Sequence, residues 1–172
     1  MSALIKISET TISSATSSVV LTGIDSTFDV YVYQAIDVMP DTDTVAVNLR
    51  FTESGTANST ANYDEGFIRM RSENSFQNKT STNATSFLSP EGVGNQTNEN
   101  FNLNMVIYNA DQSNGYTFMI FEDIYRISSG SFFQPSAGGG VFTVTSAVDG
   151  VSMAMSSGDV ASGIFKLYGL VK

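Results

Sequence analysis

A chain of 172 residues with 8 Lys+Arg against 17 Asp+Glu is one acidic domain of ordinary size, with net charge −9. That length buries roughly 70% of the surface its unfolded form exposes, so a core can form without covalent or metal staples. With no Cys and no His, thiol and imidazole nucleophile–base pairs, structural zinc, His-ligated haem and an imidazole switch near neutral pH are excluded.

The residue mix predicts strands from end to end. There are 24 Ser, 17 Thr and 13 Asn, and only 15% of residues are charged. The residues that favour long helices are sparse, while Thr, Val, Ile, Phe and Tyr suit a pleated, half-buried face. Period-two alternation and turn signals predict strands near 3–8, 17–23, 29–38, 45–53, 65–72, 84–88, 101–109, 115–127, 140–147, 150–156 and 163–170. Ala3 to Ser8 are apolar enough for an edge strand that pairs across subunits. Val45, Val47, Leu49 and Phe51 alternate with Ala46, Asn48, Arg50 and Thr52. Residues near 54–64 and 73–100 are rich in Asn, Ser, Thr, Gly and Gln and read as long surface loops, the second ordering on docking. Phe101, Leu103, Met105 and Ile107 form another one-sided strand. From Tyr116 to Ile127 both faces are apolar, which suits a central strand covered on two sides or packed against a neighbouring subunit. Ser136-Ala137-Gly138-Gly139-Gly140 reads as a flexible or tightly turning entry to a strand at Val141, and Val151, Met153 and Met155 mark a further one-sided strand. The fold expected is all-β: a jelly-roll-like antiparallel β-sandwich, with residues 1–172 forming one domain.

Few residues stand out as chemistry. Asp41 and Asp43, beside Pro40 and near Asp37, could offer oxygens to calcium, but they lack the spacing of a calcium loop and read as a solvated turn. Glu122 and Asp123 are adjacent in a strand, so they face opposite ways and do not converge as a glycosidase pair; one of them is expected to meet Arg126 or another Arg. No Ser has a base beside it, and no catalytic residue, cofactor or metal site is predicted. Tyr63, Phe132 and Phe133 fall in or near loops, where rings contact a ligand or partner, or pack beneath the loop. Four Asn-x-Ser/Thr triplets, at Asn58, Asn78, Asn83 and Asn95, are as many as this composition produces by chance. Nucleic-acid and membrane partners are not expected, because there is no basic stripe and no apolar run of ~18 residues. The first six residues have neither a charged lead nor a continuous apolar stretch, so synthesis in the cytoplasm is expected.

Two segments carry a resemblance. Gly23-Ile-Asp-Ser-Thr-Phe-Asp-Val-Tyr-Val-Tyr33 follows a Ser-rich strand, and the C-terminus runs from Asp149-Gly-Val-Ser-Met through Ser156-Ser-Gly-Asp-Val-Ala-Ser-Gly-Ile-Phe-Lys-Leu-Tyr-Gly-Leu170. Together they resemble small β-rich virion structural proteins of tailed bacteriophages, notably of marine and cyanobacterial hosts. The resemblance implies a tail-fibre-like or capsid-decorating protein of the virion with no catalytic residues to carry over. Gly23, Asp25, Asp29, Gly158, Gly163 and Gly169 are then turn, cap and strand-end positions. The partners expected are further copies of the chain, as a homotrimer or another closed oligomer, and other virion proteins. A carbohydrate-binding module recognising host-surface glycan is the alternative, and a carboxylate glycosidase using Glu122 is a third.

Overall fold

The computed structural model describes residues 3–73, 75–87 and 92–171. Among them the strands are β1 (Leu4–Ile12), β2 (Val19–Thr22), β3 (Val30–Pro40), β4 (Val47–Glu53), β5 (Thr56–Ala57) and β6 (Tyr63–Arg71). The chain continues through β7 (Ser75–Ala84), β8 (Phe101–Tyr108), β9 (Thr117–Arg126), β10 (Phe133–Phe142), β11 (Gly150–Met155) and β12 (Val160–Leu170). Two antiparallel sheets pack as a sandwich, so the all-β, jelly-roll-like expectation holds. The large sheet has the order β1-β12-β3-β8-β9-β10-β6-β7 and the small one β2-β11-β4-β5.

The core forms where alternation aims side chains between the sheets. From the large sheet come Tyr33, Phe101, Met105 and Phe165, and from the small sheet Leu21, Leu49, Phe51 and Met153, all at most 2% exposed. Two bridges from the segment after β7 close the sandwich, Phe87 pairing with Leu49 and Val93 with Val45. Phe87 also anchors an aromatic cluster in which Tyr63 meets Phe87 and Phe142 at 4.8 Å between ring centroids, and Phe51 meets Phe87 at 5.5 Å.

Two expectations change. Residues 75–84 are the strand β7 rather than part of a loop, held to β6 along nearly its whole length. Its sequence, SFQNKTSTNA, offers one large apolar side chain, Phe76, and that is exposed, so no burial pattern announces it. Residues 74 and 88–91 of the expected loop lie outside the described residues, as does the end of the strand expected at 84–88. The glycine tract is likewise inside a strand: β10 begins at Phe133 and carries Gly138–Gly140 between β9 and β6. On the inner face Gly138 is flanked in register by Phe121 and Phe67, whose rings meet at 5.7 Å. A Cβ there would sit 2.3 Å from the Cβ of Phe67 and 2.4 Å from the carbonyl oxygen of Gly66, so only glycine fits beneath the two rings.

Candidate functional site: the open face of the large sheet

The small sheet covers only one side of the large one. On β9 the inward residues Thr117, Met119, Phe121, Asp123 and Tyr125 are buried, while Phe118, Glu122 and Arg126 face outward with Ile120, 51% exposed, and Ile124, 46% exposed. The two-sided apolar character read from Tyr116 to Ile127 therefore has one face in the core and one uncovered. On β6 and β10 the outward Ile68 and Phe133 extend the same surface. These outward apolar side chains make the uncovered face a candidate contact surface.

Strand pairing fixes which outward residues are neighbours. One level crosses the sheet as Glu9–Lys166–Gln34–Asn104–Glu122–Ala137–Ile68. The next reads Lys6–Tyr168–Val32–Val106–Ile120–Gly139–Gly66. A polar row thus lies beside an apolar one. From β3 across β8, β9 and β10 to β6 the surface dips into an open trough of about 440 Å³, with Asn102, Glu122 and Ile124 between Gln34 on one side and Met70 on the other. The Gln34 amide donates to Asn104 Oδ1 at 3.2 Å, and Asn102 Oδ1 accepts from the Asp37 amide at 2.9 Å, so these side chains are held in place.

Glu122 and Asp123 separate as their adjacency requires. Glu122 lies in the open face, whereas Asp123 is in the core with 4% exposure. Beside Asp123 in register stand Leu103 on β8 and Ser136 on β10, with Arg69 one strand further on β6. Burial pushes the carboxyl of Asp123 up to about 7, against the opposing pull of Ser136 and the Arg69 charge; Glu65 reinforces the rise. Ser136 is the polar neighbour placed to hold the anion, and burial outweighs it. Arg126 instead donates to the Gly130 carbonyl.

The three ring residues scatter. Tyr63 is fully buried, its hydroxyl donating to the Asn58 carbonyl at 2.7 Å, so it is a core residue and presents nothing to a ligand. Phe132 lies half-buried with the Arg71 guanidinium 5.0 Å from its ring centre. Phe133 stands 53% exposed at the start of β10. In the acidic turn, Asp41 Oδ1 accepts from Thr42 and from the Asp159 amide at 2.8 Å, and Asp43 from the Thr44 amide. Those bonds fold a turn that ties β3 to the loop before β12. The residues sequence reasoning missed are Lys166, Gln34 and Asn104, because only strand register brings such distant positions into one outward row with Glu122.

No family model matches the chain, and no curated protein does. Among solved structures it is similar to a complex of toad ovary galectin with thio-digalactose, at 11% identity and a TM-score of 0.24, over 81% of this chain and 99% of that one. A likeness of that degree carries no argument about what this chain binds.

Proposed function

We propose that the protein is a non-enzymatic structural component of a tailed-bacteriophage particle, a tail-fibre-like or capsid-decorating unit that assembles as a closed oligomer. The observation that carries this reading is the uncovered apolar face on an otherwise complete sandwich. The chain exposes 7853 Å², close to the roughly 8,200 Å² of an ordinary compact monomer of 18.4 kDa. Its interior is therefore closed, and the open face is left for contact with another molecule. The two segments that resemble virion proteins favour a phage particle as the setting.

Immunogold electron microscopy with an antibody to the purified domain tests the reading on intact particles. Gold over the capsid makes the protein a decoration unit, and gold on the tail makes it fibre-like. Absence of label from every particle overturns the proposal.

Recognition of host-surface glycan is the second reading, and the exposed ring of Phe133 on the open face favours it. Phe133→Ala is expected to change stability by no more than about 1 kcal/mol, because about half of the residue is already in water. If glycan is the ligand, that variant loses binding to host cells while keeping the wild-type unfolding midpoint. Unchanged cell binding removes Phe133 from this role.

A further inference from the structure

We propose that the outer face of the large sheet binds a second copy of the chain, the two related by a two-fold axis running parallel to the strands between β3 and β8. This rests on the assembly reading above and gives it a surface and a geometry. Rotation about such an axis keeps each residue at its level along the strands and exchanges strands across the axis. β3 then lies over the partner's β8, β12 over the partner's β9, and β1 over the partner's β10.

The register of the polar row makes this arrangement self-complementary. Lys166 and Gln34 lie on one side of the axis, and Asn104 and Glu122 lie at the same distances on the other. The rotation sets Lys166 against the partner's Glu122 and Gln34 against the partner's Asn104, each contact made twice. In the adjacent level Tyr168 comes over the partner's Ile120 and Val32 over the partner's Val106. The apolar row therefore covers itself, and the exposed Ile120 is buried.

Charge and shape point the same way. A chain of net charge −9 repels its own copies, so a stable contact must pair opposite charges or avoid them. On this face β1 and β12 carry Lys6 and Lys166 around Glu9, whereas the strands that would oppose them contribute Glu122 to that row. The trough runs from Gln34 and Ile36 on β3 across β8, β9 and β10 to Met70 on β6, so it crosses the axis, and its part over β9 and β10 faces the side chains of the partner's β12 and β1. Ala137 and Gly139 on β10 leave room there for the long side chains of β1. Six strands at ~4.8 Å spacing and four outward levels at ~6.8 Å span about 780 Å² on each copy, comparable with the ~800 Å² per partner of a stable complex. Paired sheet faces align within about 30°, which this axis satisfies.

Charge exchange at the Lys166–Glu122 contact tests the geometry in the full-length chain. Sedimentation equilibrium of the wild type should give twice the 18.4 kDa chain mass. Glu122→Lys and Lys166→Glu should each weaken association roughly tenfold or more by opposing like charges, and the double exchange should recover it. Glu122→Gln, a milder change at an exposed position, should weaken it less than Glu122→Lys. Circular dichroism and the unfolding midpoint confirm that each variant is folded. A monomeric wild type, a trimer, single exchanges without effect, or a double exchange that fails to recover would each overturn the two-fold pairing. Gold labelling of particles decides the virion reading separately: labelled particles with a monomeric chain overturn the pairing alone.

Discussion

Tyr63→Ala is expected to lower stability by about 4 kcal/mol, the middle of the range for a buried aromatic truncated to alanine. In a chain of this length that is a fall of roughly 8–16 °C in Tm. The size follows from position. Tyr63 begins β6, is fully buried, and packs at 4.8 Å against both Phe87 and Phe142. Phe87 is also the residue through which the segment after β7 bridges to β4, so a cavity at Tyr63 loosens two sheets and a connection at once. The hydroxyl adds a smaller share, donating to the Asn58 carbonyl and accepting from the Phe51 amide at 3.3 Å. Tyr63→Phe should therefore cost only about 1 kcal/mol, plus whatever the Asn58 carbonyl fails to recover from water. Urea unfolding of both variants measures the pair of values. A loss below about 1 kcal/mol for Tyr63→Ala would mean that the cluster repacks and is not the joint described here.

That residue also marks where sequence reasoning reached its limit. Tyr63 stands next to a polar stretch, Asn58 to Asn62, and composition alone places it in a loop; the ring's inward aim is decided by β6 pairing with β10 through Tyr63 and Phe142. Strands whose inner residues lie between the two sheets were legible from alternation, as in Val47, Leu49 and Phe51 or Phe101, Leu103, Met105 and Ile107. β7 was not, because it is the outermost strand of the large sheet and has backbone pairing to β6 in place of a buried face. Gly138–Gly140 read as a turn since glycine normally breaks a strand, yet here the rings of Phe67 and Phe121 cover the missing side chain. The open face was half legible. Apolar residues on both sides of β9 announced its apolar outer side, but the polar row of that face joins positions 34, 104, 122 and 166, which only the register of β12, β3, β8 and β9 aligns.

The second large effect is a pH dependence that runs against ordinary acid denaturation. Asp123 is buried, and its carboxyl is raised from 3.8 to about 7 because burial disfavours the anion more than Ser136 and Arg69 favour it. In the unfolded chain the same group ionises near its ordinary value. Below pH ~4 both states hold the proton, and Asp123 does not alter the balance. Between about 4 and 7 the unfolded state releases its proton while the folded state keeps it, so stability falls as pH rises. Above about 7 both are ionised and the folded state carries the full cost, up to about 4 kcal/mol for a shift of this size. Exposed carboxylates act oppositely and at lower pH. The Lys6 contact at 2.7 Å holds Glu9 below its usual range, and backbone amides do so for Asp25 and Asp41, so their contribution is lost only as pH falls below about 4. Asp123→Asn removes the titration while keeping the shape. Relative to wild type it should gain stability progressively from pH 4.5 to pH 8, whatever constant offset arises from removing the charge near Arg69. Unfolding curves at the two pH values give that difference directly. An identical difference between variant and wild type at both would show that Asp123 is ionised in the folded protein throughout, with Arg69 and Ser136 outweighing burial.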